Sequence, residues 1–493
     1  MASSPENRLN RRDLWILAGV TLLSVGAYIA FSGFYHSIGF PLDDAWIHQT
    51  YARNLALHGE WSFLPGQPSG GSTAPLWSAL LAIGFWLRLA PYAWAYLLGA
   101  GALWGLAVLG ERAMVRLVPS YQPRFPWVGT VLALEWHLIW ATGSGMETML
   151  YSLLATAALV LVITETKKYF GLGILIGLSV WVRPDGITLL GAAVLGLILN
   201  QSSWVKRLKG LVNLGLGVGS LLALYLLFNL AISGSPLPNT FYAKQAEYAV
   251  YLQLPYLQRL GSEALQPLIG VGVILLPGLI LALISAIRRK SWGVPIALSW
   301  LVGFLCLYAW RLPVTYQHGR YVIPAIPIYC LLGVAGLVEF SVSRGPGWRW
   351  IIPAFWKLAT GVVLILFWWR GGLAYAQDIA VIDTEMVSTA KWVAANVPAD
   401  ALVAAHDIGA LGYFGQHNLV DMAGLVSPEV IPFLRDETRL AVYLNERGVS
   451  YLVTFPDWYP HLTANLSLVF TTGAPYSLAF GEQNMAVYRW PGP

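Results

Sequence analysis

Leu14 to Phe34 reads LWILAGVTLLSVGAYIAFSGF, an unbroken apolar run behind Arg8, Arg11 and Arg12. Past residues 35–42 it gives way to Asp43-Asp44-Ala45-Trp46-Ile47-His48-Gln49-Thr50-Tyr51-Ala52-Arg53-Asn54-Leu55. A helix over that run is long enough to cross the roughly 30 Å of bilayer hydrocarbon. Its basic flank and the lack of a small-residue cleavage site make it a retained anchor. Two adjacent carboxylates therefore stand just beyond a membrane boundary, where charge is costly unless it serves a purpose.

The rest of the chain repeats the first theme. Of 493 residues, 57% are hydrophobic and 11% charged, with a mean hydropathy of +0.59. These values exclude an ordinary soluble enzyme and indicate a polytopic α-helical membrane protein. Eleven apolar runs qualify as spans: 14–34, 92–109, 126–142, 146–164, 169–183, 186–200, 210–232, 264–287, 292–310, 321–342 and 351–369. The pair 169–183 and 186–200 is parted only by Pro184-Asp185, so it reads as tilted, broken or partly re-entrant. The stretch 74–90 reads as a partial or juxtamembrane helix. The net charge of +5 is modest and its lysines and arginines sit between apolar runs, which argues against nucleic acid as a partner. Cys306 and Cys330 fall inside apolar runs and form no disulfide framework.

Placing the amino terminus in the cytoplasm puts the other basic clusters there too: Arg112, Arg116 and Arg124; Lys167 and Lys168; Lys206, Arg207 and Lys209; Arg288, Arg289 and Lys290; Arg344 and Arg349. Segments 35–73, 143–147, 233–262 and everything after 370 then face outward. The division expected is a membrane catalytic domain over 1–370, with outer loops 35–73 and 233–262, and a soluble extracytoplasmic α/β domain over 371–493. In the latter, a helix is expected over 378–396 and another near 436–447. Strand-like runs lie at 401–405, 418–422, 450–455, 466–471 and 485–490.

The run Leu42 to Trp77, with its acidic pair, Tyr51-Ala52-Arg53-Asn54-Leu55, Pro65-Gly66 and Gly71-Ser72-Thr73, resembles the first outer loop of a known superfamily. It is similar to that of the C-type (GT-C) glycosyltransferases that use polyprenyl-phosphate sugars. The likeness is nearest to the mycobacterial arabinofuranosyltransferases, with protein O-mannosyltransferases and the aminoarabinose transferase of lipid A more distant. Gly145-Met146-Glu147-Thr148, Arg183-Pro184-Asp185-Gly186, Pro238-Asn239-Thr240-Phe241-Tyr242-Ala243-Lys244 and Gly319-Arg320-Tyr321-Val322-Ile323-Pro324 extend it. The resemblance implies an inverting transfer of a sugar, arabinofuranosyl or mannosyl among the choices, from a polyprenyl phosphate to a cell-envelope acceptor outside a bacterial plasma membrane. It also implies that an acid of the first loop is the catalytic base.

The residues support such chemistry on their own terms. An acceptor hydroxyl is a poor nucleophile until a carboxylate takes its proton, which nominates Asp43 and Asp44. Asp44 is placed to cap the following helix and Asp43 is slightly favoured as base. Glu147 resembles the superfamily's second acidic position; a helix-start carboxylate complementing the dipole is the plainer reading. A departing lipid phosphate gains charge and needs cations. Arg320, beside His318 and Tyr321, is the first choice because a planar fork holds two oxygens. Lys244, Arg183 and Arg311 follow, with Arg53 nearer the sugar. Snorkelling from a helix end is the plain alternative for each cation. Glu135 and His137 lie at mid-membrane depth and read as a structural pair. His406, Asp407 and Asp421 read as solvated loop residues.

No nucleotide-binding loop follows a strand, and no His/Cys/carboxylate cluster has metal-ligand spacing. Neither a cofactor nor an obligatory metal is expected, since lysine and arginine can neutralise one phosphate. The rival reading is a transporter or lipid flippase, which would also use intramembrane ionisable groups.

Overall fold

The computed structural model describes residues 9–119, 121, 124–342, 351–415 and 417–491. Arg8, Arg344 and Arg349 of the basic clusters lie outside the described residues. The first helix, α1 (Arg11–Tyr35), starts where Asn10 caps the Asp13 amide. Helix α2 (Asp44–His58) carries the acidic pair at its head and stops at Gly59, whose φ of 69° suits a left-handed terminus. A small hairpin, β1 (Ser62–Leu64) and β2 (Gln67–Pro68), gives the Pro/Gly-rich loop its structure.

The membrane part continues through α3 (Pro75–Trp86), α4 (Pro91–Leu117), α5 (Trp127–Leu134), α6 (Trp136–Thr142), α7 (Thr148–Ile163), α8 (Tyr169–Val182) and α9 (Leu189–Asn200). It goes on with α10 (Trp204–Ser233), α11 (Asn239–Glu247), α12 (Tyr256–Leu265), α13 (Val271–Arg288), α14 (Gly293–Arg311), the single turn α15 (Tyr316–Gly319) and α16 (Ile326–Val342). Helix α17 (Ile351–Ile382) runs on through a π turn into α18 (Ser388–Asn396). By length and composition, seven helices among the described residues are long and apolar enough to cross a membrane. All eleven expected runs are helical, but four of them break or fall short of full length. The run 126–142 divides at Glu135, whose backbone is extended and whose carboxylate accepts from the Leu138 amide and from His137 Nδ1 at 2.8 Å. The run 169–200 divides at Arg183, also extended, ahead of a 3-10 turn at Pro184–Thr188. The stretch 74–90 forms α3, a helix of 12 residues.

Small residues bring the apolar helices together, since lipid supplies no hydrophobic drive between them. Gly173 of α8 and Gly217 of α10 face each other without room for a side chain, as do Gly278 of α13 and Gly333 and Gly336 of α16.

The terminal region forms one mixed sheet from β3 (Val403–Ala405), β4 (Leu419–Asp421), β5 (Tyr451–Thr454), β6 (Ser467–Thr471) and β7 (Ala486–Arg489), in the order β4-β3-β5-β7-β6. The pairs of β3 are parallel, and those of β7 antiparallel. Among the helices that accompany it are α19 (Gly409–Phe414) and α20 (Glu437–Arg447). The fold class read from the sequence is borne out: a multi-span helical membrane protein with a small α/β region at its end. Buried Glu385 in the π turn holds that region to α17, accepting from Ser477, Asn484 and the Met485 amide at 2.8–2.9 Å and from Thr472 at 2.5 Å.

Candidate active site

Three of the four segments assigned to one side of the membrane, 35–73, 143–147 and 233–262, meet around a cavity of about 370 Å³; no described residue after 370 lines it. Asp44 comes to it from the head of α2, Glu147 from the turn before α7, Lys244 from α11, and Arg320 and Tyr321 from the turn after α15. Arg183, Asp185, Tyr308 and Arg311 complete its polar wall; Met146, Ile187, Leu237, Phe241, Leu307 and Leu312 make the rest apolar. A cavity lined by both charged and apolar side chains suits an amphipathic ligand.

Arg320 is the centre of the polar wall. Its Nη2 donates to Asp44 Oδ2 at 2.7 Å and to the Tyr321 hydroxyl at 3.0 Å, and its guanidinium lies 4.9 Å from the Tyr321 ring centroid. Its Nε and Nη1 are buried and have no partner among the described residues. Unpaired guanidinium donors in a buried site are expensive, so these two nitrogens could serve an anion.

The backbone that delivers Arg320 is unusual. Gln317, His318 and Gly319 all have left-handed φ values, 54°, 59° and 64°, and for the first two the conformation is strained. His318 Nε2 lies 2.8 Å from Asp378 Oδ2 of α17, which also accepts from Trp140 Nε1 at 2.8 Å. The imidazole stands edge-on to Trp136 and Trp140. His318 thus holds the turn and does not line the cavity, which corrects its expected place among the donor ligands.

The acidic pair divides in the opposite sense to the expectation. Asp44 is half-buried and lines the cavity. Burial pushes its carboxyl up, but Arg320 and then Lys244 outweigh burial and hold it below the usual carboxylate range. Asp43 turns away. Its two oxygens accept from the Gly409 and Ala410 amides at 2.7 and 2.8 Å, the buried head of α19. Arg53, ten residues on, donates to the Tyr413 and Gly412 carbonyls at 2.7 and 3.1 Å, the tail of the same helix. Helix α2 therefore grips α19 with a carboxylate at its positive end and a guanidinium at its negative end. Asp43 and Arg53 dock the terminal region; neither lines the cavity, which corrects the base role for Asp43 and the sugar contact for Arg53.

Other contacts could not be read from residue type. Arg183 is taken by Asp185 at 3.1 Å and by the Tyr308 hydroxyl at 2.6 Å, so it braces the cavity wall. Lys244 Nζ lies 3.1 Å from Glu247 Oε2, and Glu247 Oε1 lies 3.1 Å from His406 Nε2. Lys244 and His406, the latter together with that bond, hold Glu247 below its ordinary range against burial. His48 Nε2 sits 3.5 Å from Glu147 Oε2, with Nδ1 against Ser78 and Ser72. His48 lies four residues after Asp44, one helical turn along the same face, and this spacing was the available signal for it. His406 and Asp421 are buried, and Asp407 has a buried oxygen without a partner, so these three are not solvated loop residues. Burial, and next the charge of Asp407, push Asp43 up to about 8; burial lifts Asp407 to about 6. The pair retains a proton near neutral pH.

Solved structures with this arrangement of helices are known. ArnT from Cupriavidus metallidurans superimposes with a TM-score of 0.57 when bound to undecaprenyl phosphate and 0.59 in the apo state. Each covers 96% of this chain, and 98% and 97% of ArnT, at 14% and 13% identity. The chain shares the fold of ArnT. Arabinofuranosyltransferase AftD from Mycobacteria gives a TM-score of 0.50 at 17% identity, over 99% of this chain and 40% of AftD. In sequence, the chain is 24% identical over 378 residues to the terminal beta-(1->2)-arabinofuranosyltransferase of Mycobacterium tuberculosis (strain ATCC 25618 / H37Rv), covering 66% of this chain. It spans 57% of the length of that relative. Residues 371–488 match a family described as Domain of unknown function (DUF8728). The GT-C likeness read from the outer-loop motifs thus agrees with both comparisons.

Proposed function

We propose that the chain is an inverting glycosyltransferase that moves a sugar from a polyprenyl phosphate to a cell-envelope acceptor on the outer face of a bacterial plasma membrane. The observation that carries this reading is that Arg320, whose buried Nε and Nη1 have no partner among the described residues, lines the same cavity as Asp44. A phosphate monoanion or dianion can take charge-assisted bonds from this guanidinium, with Lys244 adding a second positive charge. The apolar wall of Leu237, Phe241, Leu307 and Leu312 takes the first isoprene units.

In this mechanism the acceptor hydroxyl attacks the anomeric carbon from the face opposite the phosphate while Asp44 removes its proton. The bond between the anomeric carbon and the phosphate oxygen breaks, and the electron pair stays on the phosphate. A single in-line displacement inverts the anomeric centre. Arg320 and Lys244 stabilise the charge that builds on the leaving oxygen, and no metal is required for that task. In the empty site, Asp44 is tied to Arg320. Phosphate binding neutralises the guanidinium and leaves Asp44 more basic, so donor binding prepares the base. Asp43 and Arg53 keep α2 in register with α19, and the 371–493 region serves as a rigid support for the base and a wall beside Lys244. The support for the sugar class is the arabinofuranosyltransferase likeness alone; arabinofuranosyl and mannosyl donors are the two to try.

The test is transfer by the purified protein in liposomes holding polyprenyl-phosphate arabinofuranose or mannose, with a cell-wall glycan acceptor. Release of polyprenyl phosphate and an extended acceptor of inverted anomeric configuration are expected. Donor consumption no faster than with heat-inactivated protein, for both sugars, would remove the reading.

A further inference from the structure

Residues 249–265 join α11, which walls the cavity, to α13, which spans. Their composition does not fit an aqueous loop. Val250, Tyr251, Leu252, Leu254, Tyr256 and Leu257 are all exposed, Leu257 at 79%, and Leu265 follows two turns later on the same face of α12. A contiguous exposed apolar surface of this kind needs a cover.

The position of the segment identifies the cover. Tyr256 donates to the Cys306 carbonyl, and Arg259 to the Ala309 carbonyl at 2.7 Å, which fixes α12 against the last two turns of α14. Those turns also expose Trp310, and α13 and α14 further along expose Val273, Ile280 and Val302. On a membrane-spanning chain lipid covers such residues, and α12 is bonded directly to the helix that carries Val302 and Trp310. Tyrosine and tryptophan concentrate at this level, as amphipathic rings do at the boundary between hydrocarbon and head groups. The other face of the same end of α14 supplies Leu307, Arg311 and Leu312 to the cavity. Tyr248, at the root of the segment, is bonded to Tyr316 just ahead of the turn that delivers Arg320.

We propose that residues 249–265 form an interfacial paddle whose apolar side chains lie among the lipid chains of the leaflet next to the cavity. It is then the sill over which the hydrocarbon tail of the donor enters. Its seating in the bilayer stands on exposure and placement, whereas its role toward the tail rests on the proposed transferase reading. A short amphipathic helix fixed to a span and bordered by aromatic rings behaves this way because its apolar face leaves water without the segment crossing.

Two measurements keep these parts separate. A nitroxide attached at Leu252→Cys, in full-length protein carrying Cys306→Ser and Cys330→Ser and reconstituted in liposomes, reports depth from its accessibility to oxygen and to a water-soluble nickel chelate. Greater accessibility to oxygen is expected at 252, with the reverse at Val442→Cys on exposed α20. Nickel accessibility at 252 equal to that at 442 would overturn the paddle whether or not the protein transfers sugar. For the tail, Leu252→Asp with Leu254→Asp is expected to raise KM severalfold for a long-chain donor and to leave kcat unchanged. A short-chain, water-soluble donor analogue is expected to keep its KM. Equal KM values for wild type and variant with the long-chain donor, in a preparation whose wild type is active, would remove the tail role alone.

Discussion

Replacing Arg320 by lysine isolates what the guanidinium fork does, because the positive charge stays while the planar donor set is lost. Arginine offers five N–H donors. In the structure Nη2 serves Asp44 and Tyr321, while Nε and Nη1 have no partner among the described residues. If a donor phosphate takes a bond from either of those nitrogens, worth about 1.5–3 kcal/mol as a bond to a charged group, lysine forfeits it. Lysine also reaches Asp44 less well from the same backbone, so a second loss is expected. The sum is about 2–5 kcal/mol, or roughly 30- to 5,000-fold in kcat/KM at 1.36 kcal/mol per tenfold. The assay is steady-state transfer in proteoliposomes with the lipid-phosphate sugar varied, alongside direct binding of polyprenyl phosphate by the same protein. Weaker lipid-phosphate binding is expected to account for most of the loss. A variant with kcat/KM within threefold of wild type would refute the assignment of those nitrogens to phosphate.

Other substitutions should separate the two aspartates and their supports. Asp44→Asn is expected to lower kcat by about 10²- to 10⁴-fold, the usual worth of a positioned base, with the thermal midpoint nearly unchanged. Asp43→Asn weakens the grip on α19 and is expected to lower the midpoint while retaining measurable turnover, which differential scanning fluorimetry and the transfer assay read together. Asp378→Asn frees the strained turn at 317–319 and is expected to raise KM for the donor with little effect on the acceptor, checked by varying each substrate in turn. Asp43 and Asp407 hold carboxyl pKa values raised to about 8 and about 6 over unfolded values near 4. At this pair the folded state therefore binds more protons, and the pair's contribution to stability should be complete below about pH 4 and decline as pH rises to about 8. Asp407→Asn is expected to flatten that slope in fluorimetry from pH 5 to 8, and an unchanged slope would contradict the shared proton.

Much of this architecture is written in local pattern. Each apolar run became a helix, and the strands at 403–405, 419–421, 451–454, 467–471 and 486–489 fall inside runs whose composition announced them. The breaks at Glu135 and Arg183 were harder to place, since a carboxylate that caps its own following turn looks like a buried charge in the sequence. Arg320, Lys244 and Glu147 were found by type and by position at the mouths of runs. The division of labour within Asp43-Asp44 was not legible. It depends on Gly409 and Ala410, more than three hundred residues away, arriving at the head of α2. The same long-range docking buries His406 against Glu247 and turns Arg53 toward Gly412 and Tyr413. His318 was misread for a related reason: its partner, Asp378, lies on a helix whose packing only the folded chain reveals.

The most direct measurement is a cryo-EM structure of the protein in nanodiscs with a polyprenyl-phosphate donor bound. The account predicts phosphate density within hydrogen-bond distance of Arg320 Nε or Nη1, near Lys244, with the anomeric carbon on the side of Asp44 and the isoprene tail along Leu237, Phe241 and Leu307. Phosphate seated elsewhere, with Arg320 still bound only to Asp44 and Tyr321, would contradict it.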